Sequence, residues 1–126
     1  MPKQVHMPPG VEAGSLPFSQ LVEANGFVFV AGQVGGKPDV PGPVPGGIEA
    51  ETRQMLENVR RLLSAVGLGL EDVVKATVYL VDFDEFARMN AIYREYFRED
   101  PPTRATVGVT RLAADYRVEI EVVAAR

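Results

Sequence analysis

The chain has 126 residues, of which 46% are hydrophobic and 24% charged, so its size and composition fit one globular domain, 1–126, and exclude a disordered chain. Its net charge of −4 and its scattered basic residues argue against nucleic acid as a partner. Because it has no cysteine and one histidine, it offers no disulfide, no thiol nucleophile and no ligand spacing for a metal site.

The first ten residues carry prolines and a histidine, but no charged segment followed by an apolar run, so they do not have the pattern of a secretory signal. The apolar stretches elsewhere are strand-sized, well short of the ~20 residues that a membrane helix needs. We therefore expect a cytoplasmic protein with no membrane partner.

A β-hairpin is predicted from Val22 to Val34, because Asn25-Gly26 supplies the positive φ angles that a tight turn requires. Gly35 to Gly47 follows as a surface loop, since its glycines and prolines permit neither a helix nor a strand. Both a functional loop and a plain connector fit this composition.

Two helices are predicted after the loop. The first spans Ile48 to Val66, with apolar residues at steps of three and four, and Gly67 marks its end. The second begins at Asp82, with Glu85 three residues later as in a capping box, and Pro101 ends the segment.

Three further strands are predicted over 73–81, 103–109 and 116–124. The order of hairpin, helix, strand, helix, strand, strand indicates an α+β fold in which two helices cover one face of a sheet. The opposite face would carry bulky apolar residues such as Phe27 and Phe29, so we expect it to be an interface in an oligomer.

Arg104 is the leading candidate for a binding residue. Strand alternation puts Arg104 and Thr106 on the side away from the helices, with Glu119 and Glu121 on the same side of the last strand. One interpretation is an ion pair between strands, worth ~0.2–1 kcal/mol. The other is that Arg104 holds a substrate carboxylate with its forked donors while a glutamate manages a proton or a water. The pattern leaves both open.

Asn90 and His6 also admit two interpretations each. Asn90 lies between Phe86 and Tyr93 on the apolar face of the second helix, where an amide serves as a structural tie or as a ligand contact. His6, near the first strand, fits an ordinary edge residue or a catalytic base.

Several short motifs, in this order and spacing, make the chain resemble the RidA/YjgF family of reactive-intermediate deaminases along nearly its whole length. The motifs are Pro17-Phe18-Ser19-Gln20, Gly32-Gln33, Asn58-Val59, Asp72-Val73-Val74-Lys75-Ala76-Thr77-Val78, Phe86 with Asn90 and Tyr93, Tyr96-Phe97, Pro102-Thr103-Arg104-Ala105-Thr106-Val107, and Val118-Glu119-Ile120-Glu121.

The resemblance implies a mixed six-stranded sheet with two helices on one face, closed through the other face into a chorismate-mutase-like homotrimer with a barrel-like core. It implies hydrolysis of 2-imino or 2-enamino acids to 2-oxo acids and ammonia, without a cofactor, in clefts between subunits. In that scheme Arg104 binds the substrate carboxylate, Glu119 handles protons around the attacking water, and Thr106 meets both through its backbone.

The chain departs from the family pattern at positions in the implied cleft. Phe18 stands where tyrosine is typical, Ala31 where serine is common, and Thr106 where cysteine is common, so two hydroxyl groups are missing. Phe18 and Ala31 favour an alternative, a non-catalytic trimer that binds small carboxylates such as 2-oxo acids, as a sensor or regulatory module, or that engages a partner protein. Ribonuclease activity, a further property of some relatives, fits poorly with the net charge of −4.

Overall fold

The computed structural model describes residues 2–11 and 14–126. This part of the chain forms β1 (Gln4–His6), β2 (Leu21–Ala24), β3 (Phe27–Val34), α1 (Gly47–Ser64), β4 (Val73–Leu80), α2 (Phe86–Tyr96), β5 (Thr103–Gly108) and β6 (Val118–Ala125). The strands make one sheet, and the α+β class with a mixed six-stranded sheet and two helices is confirmed.

The sheet has the order β1-β2-β3-β6-β4-β5, so the last strand of the chain lies in the middle. All neighbouring strands are antiparallel except β4 and β5, which are parallel and connected through α2. The residue pattern did not predict β1, because three residues are too few to show an alternation.

The hairpin turn is the one that the sequence predicted. Asn25 has φ 52° and Gly26 has φ 81°, the two positive values of a tight hairpin turn. Further along β3 the register against β6 shifts: Val30 pairs with Val122, whereas Gln33 pairs with Ile120. Three steps on β3 thus match two on β6, which is a β-bulge at residues 31 and 32.

The two helices start and end within a few residues of their predicted bounds. Asp82 accepts a hydrogen bond from the Asp84 amide at 3.0 Å, but it caps a short 3₁₀ turn, Phe83–Glu85, that precedes α2. The second half of the predicted capping box is wrong, because the Glu85 carboxylate accepts from Arg117 at 2.9 Å.

The hydrophobic core lies between one face of the sheet and the two helices, where Val28, Val78 and Ile120 are fully buried. The opposite, open face leaves Phe27 and Phe29 44% and 47% exposed. An apolar open face was predicted and is confirmed, while its role as a subunit interface stays a prediction.

The loop before α1 contains neither helix nor strand, as predicted. The Asn58 side chain of α1 donates to the carbonyl oxygens of Val34 at 3.0 Å and Gly36 at 2.8 Å, which fixes the first turn of the loop. None of the predicted site residues lies in it. Neither helix of the described chain is long and apolar enough to cross a membrane.

Candidate functional site

Arg104 lies on the helix-covered side of the sheet, so its predicted orientation away from the helices is wrong. In the register of β4 and β5 it pairs with Ala76, a core residue that is 1% exposed, and paired residues point to the same side. By alternation Ala105 and Val107 therefore point to the open face. That face is itself apolar, so hydrophobicity did not distinguish the two sides of β5.

Helix α2 holds the Arg104 guanidinium in a defined position. Its Nη1 donates a hydrogen bond to Asn90 Oδ1 at 2.8 Å. Its central carbon lies 4.5 Å from the centre of the Tyr93 ring and 5.6 Å from that of Phe86, within the range of cation–π attraction. Among the described residues no carboxylate pairs with Arg104, so the charge is left without a counter-ion.

A hollow of about 340 Å³ opens beside this guanidinium, lined by Asn90, Tyr93, Arg94, Phe97, Pro101, Pro102 and Arg104. The Tyr93 hydroxyl is buried next to it without a hydrogen-bond partner among the described residues. Burial raises the pKa of this hydroxyl, and the Arg104 charge opposes the rise. A larger hollow of about 780 Å³, lined by Glu85 and residues 111–117 among others, contains none of the predicted site residues.

Thr106 shares the Arg104 side of β5, because it pairs with the buried Val78 of β4. Since β5 is the edge strand of the sheet, one row of its backbone N–H and C=O groups faces away from its neighbour. We call Asn90, Arg104 and Thr106, with the rings of Phe86 and Tyr93, the guanidinium half-site.

Glu119 lies on the open face of the sheet, beside the bulge. It pairs with Val34 of β3 and Tyr79 of β4, and its neighbours Val118 and Ile120 point into the core. Burial raises the pKa of the Glu119 carboxyl, and the nearby Glu121 carboxylate raises it further. The surroundings of Glu119 thus favour the protonated carboxyl group more than water does.

Gly32 makes room for Glu119. A β-carbon at position 32 would overlap the Glu119 carboxylate, which occupies the space that a side chain would take. Ala31, also in the bulge, donates its amide to the Gln20 carbonyl at 2.9 Å, and Phe18 lies two residues before Gln20 and is 56% exposed. We call Phe18, Ala31, Gly32 and Glu119 the bulge half-site.

One chain does not bring the two half-sites together, so the predicted convergence of Arg104 and Glu119 on one face is wrong within a single chain. Strand β4 separates β5 from β6, which is roughly 10 Å across the sheet. Arg104 is level with Ala76 and Val122, and Glu119 precedes Val122 by three residues on β6 and lies on the opposite face.

His6 has the place of an edge residue. It lies on β1 with Nε2 2.9 Å from Glu23 Oε1, and Glu23 also accepts from Arg126 at 2.7 Å. These two hydrogen bonds lower the pKa of Glu23 to about 2. None of these three residues belongs to either half-site.

Three contributors to the half-sites were not predicted as such. Phe86 and Tyr93 were predicted only as part of the apolar face of the second helix, although their spacing with Asn90 along that face already indicated a common partner. Gly32 belongs to one of the family-like motifs, but no local signal reveals that Glu119 packs against it.

Comparisons with known proteins show which family the chain is similar to. The family model described as Endoribonuclease L-PSP matches residues 12–126. A RutC family protein of Pyrococcus horikoshii is 47% identical over 108 residues, 86% of each chain. The 2-iminobutanoate/2-iminopropanoate deaminase of Mus musculus is 41% identical over 108 residues, 86% of this chain and 80% of the mouse protein.

The fold is likewise similar to a solved structure. The crystal structure of E. coli TdcF with bound serine superposes with a TM-score of 0.82 at 35% sequence identity, over 94% of this chain and 92% of TdcF. The resemblance inferred from the motifs is therefore confirmed.

Proposed function

We propose, given that the chain belongs to the RidA/YjgF family, that it hydrolyses 2-imino acids, or their 2-enamino tautomers, to 2-oxo acids and ammonia. The observation that carries the proposal is the Arg104 guanidinium, which is positioned by Asn90 and two rings and has no carboxylate partner among the described residues. The mouse and bovine relatives named as deaminases, 41% and 40% identical, support the reaction class.

The reaction needs positioning and proton transfer more than it needs a reactive side chain. Water adds to the carbon of the protonated imine, its oxygen becomes the oxygen of the 2-oxo acid, and the C–N bond breaks. The nitrogen leaves as ammonium and carries both water protons with it, so no electrons are gained or lost. Because the carbon of the protonated imine is already electrophilic, most of the rate enhancement can come from holding the carboxylate and the water in place.

Arg104 would bind the substrate carboxylate through the guanidinium N–H groups that Asn90 does not occupy. Hydrogen bonds between charged groups contribute about 1.5–3 kcal/mol each, and a forked pair also fixes orientation. The outward backbone groups of the edge strand at Thr106 are suited to hold the substrate or the water.

Glu119 would take a proton from the water and return it to the leaving nitrogen. Its raised pKa suits a group that exchanges protons closer to neutral pH. Because it lies on the opposite face from Arg104, a second copy must supply it to the same substrate. The exposed Phe27 and Phe29 support such an assembly, which we expect to be a homotrimer.

Ammonia release from freshly generated 2-iminopropanoate or 2-iminobutanoate tests the proposal. We expect catalysis above buffer at micromolar protein, and a fall of kcat/KM of about 100-fold or more in Arg104→Ala, since two charged hydrogen bonds are lost. Arg61→Ala, at an exposed arginine of α1, is the matched control and should match the parent. A parent chain no faster than buffer, or an unimpaired Arg104→Ala variant, contradicts the proposal.

A second candidate is a trimer that binds small carboxylates without turnover. Phe18 and Ala31 have no polar side-chain atom, so Glu119 is the one titratable side chain in the bulge half-site. The bulge half-site therefore has few groups that could hold a water or transfer a proton. Saturable binding of 2-oxobutanoate that is lost in Arg104→Ala, with no ammonia release by the parent, would favour this function.

The family model is described as an endoribonuclease, but RNA cleavage is not the function that we propose. Backbone phosphates require a basic surface, whereas this chain has a net charge of −4. Within residues 2–11 and 14–126, moreover, five arginines pair with carboxylates.

A further inference from the structure

A second arginine lines the hollow beside Arg104. Arg94 lies four residues after Asn90 on α2, so both side chains emerge from the same helix face, roughly 6 Å apart along the axis. Asn90 contacts Arg104 directly, and Arg94 borders the same hollow one turn further on. The hollow is thus lined by an arginine of the helix as well as by one of the strand.

Neither of these charges is neutralised by the described part of the chain. No acidic residue lines the hollow, and neither Arg94 nor Arg104 takes part in an ion pair there. The acidic residues nearest in sequence line a different hollow, together with Arg60 and Arg98; they are Glu95, Glu99 and Asp100. Two unpaired cations at one hollow in an acidic chain favour a ligand with more than one negative charge.

The remaining lining and the size agree with a ligand larger than a three-carbon acid. Phe97, Pro101 and Pro102 add apolar side chains to the lining of the hollow. The volume of about 340 Å³ lies at the lower end of the range of ligand pockets, ~300–1,000 Å³.

We propose that the preferred substrates are 2-imino dicarboxylates, with the carboxylate next to the imine on Arg104 and the distal carboxylate on Arg94. This inference rests on the proposed deaminase function and specifies its substrate class. The distal carboxylate takes no part in the hydrolysis and keeps its charge, so Arg94 contributes to binding and to specificity and not to the chemical step.

The test compares dicarboxylate with monocarboxylate substrates in three proteins. The parent, Arg94→Gln and Arg98→Gln are assayed for ammonia release from 2-iminoglutarate and 2-iminobutanoate. We expect the parent to prefer 2-iminoglutarate in kcat/KM. Arg94→Gln should lose about fivefold on the dicarboxylate, through KM, and stay within twofold on the monocarboxylate. Arg98→Gln, an exposed arginine at the other hollow, should behave as the parent.

The two proposals fail in different ways. If the parent deaminates 2-iminobutanoate but shows no preference for the dicarboxylate, or if Arg94→Gln affects both substrates equally, the inference is overturned and the deaminase function stands. If the parent hydrolyses neither substrate, the deaminase proposal fails, and titration with 2-oxoglutarate and 2-oxobutanoate decides the rest. Tighter 2-oxoglutarate binding that depends on Arg94 supports the second anion contact, and its absence overturns it.

Discussion

The two half-sites are built in opposite ways. The guanidinium half-site comes from the parallel β4–α2–β5 unit, where two rings and an amide fix a cation. The bulge half-site comes from antiparallel strands, where an irregularity in β3 leaves space for a carboxylate whose pKa is raised. The first is suited to binding and the second to proton transfer, and in the function that we propose their positions on opposite faces would divide these tasks between copies of the chain.

We expect the largest effect when two inactive variants, each lacking one half-site, are mixed and activity returns. Arg104→Ala and Glu119→Gln should each be nearly inactive alone, because each removes one half of every site. When the two variants are refolded together in equal amounts, roughly a quarter of the sites receive one intact half from each copy. We expect ammonia release at about a quarter of the parent rate.

Equal mixing that restores nothing, although mixed assemblies form, would show that the two halves act within one chain or that one of them is not used. Each variant refolded alone is the control for residual activity.

Gly32→Ala tests the bulge half-site alone. The added methyl group overlaps the Glu119 carboxylate, so the carboxylate must move, and a misplaced proton-transfer group lowers kcat by about 100-fold. Gly32 is not among the residues with positive φ, so alanine is compatible with its backbone. Steady-state kinetics and circular dichroism measure activity and folding separately.

The matched control is Gly108→Ala in β5, where a β-carbon would meet its nearest neighbour at 3.6 Å, an ordinary contact. Equal activity in Gly32→Ala and Gly108→Ala would show that the position of Glu119 does not matter.

Asn90→Ala tests the guanidinium half-site alone. It removes the acceptor that holds Arg104 Nη1 at 2.8 Å, so the guanidinium gains freedom and binds the carboxylate more weakly. We expect kcat/KM to fall about 10-fold, mainly through KM, since a hydrogen bond to a charged group contributes about 1.5–3 kcal/mol.

Tyr93→Phe, in contrast, keeps the ring under Arg104 and removes a buried hydroxyl that has no partner in the described chain. Its kcat/KM should stay within twofold of the parent value. A large loss in Tyr93→Phe together with a normal Asn90→Ala would reverse the roles that we assign to these residues.

The smallest expected effect is a shift in pH dependence rather than in rate. Glu121 raises the pKa of Glu119, so Glu121→Gln should let Glu119 ionise at lower pH. If the ionised form is the active one, the acid limb of the kcat/KM profile moves to lower pH. Gln keeps an oxygen that can accept from the Tyr79 hydroxyl, now at 2.5 Å.

Glu99→Gln, at an exposed position, makes the same change of net charge and should leave the profile in place. A profile unaffected by Glu121→Gln would argue that Glu119 is not the group that titrates.

The secondary structure could be predicted because its signals are local. The Asn25-Gly26 turn needs only two residues, and the helix faces follow from spacing within one segment. The prediction that Arg104 and Thr106 share one side of β5 is also confirmed. The fold class followed from the order of these elements.

The placement of the site could not be predicted from the same signals. Which side of β5 faces the helices depends on the register with Ala76, and both sides carry apolar residues. The pairing of β6 with β3 and β4 is a long-range one, and because β6 does not pair with β5, strand β4 lies between Glu119 and Arg104. Motif resemblance supplied the remaining idea, a site that is shared between copies.

The extra residue in β3 is needed for the space beside Glu119, but it is not needed for the packing of the core. Val30 and Gln33, on either side of the bulge, are both buried, 4% and 9% exposed, so a chain lacking Gly32 would continue as a regular strand with its inward residues unchanged. We expect such a deletion to preserve or improve stability and to close the space that Glu119 occupies. In the function that we propose, the bulge would then serve the site rather than the fold, which would be satisfied by the more regular ladder.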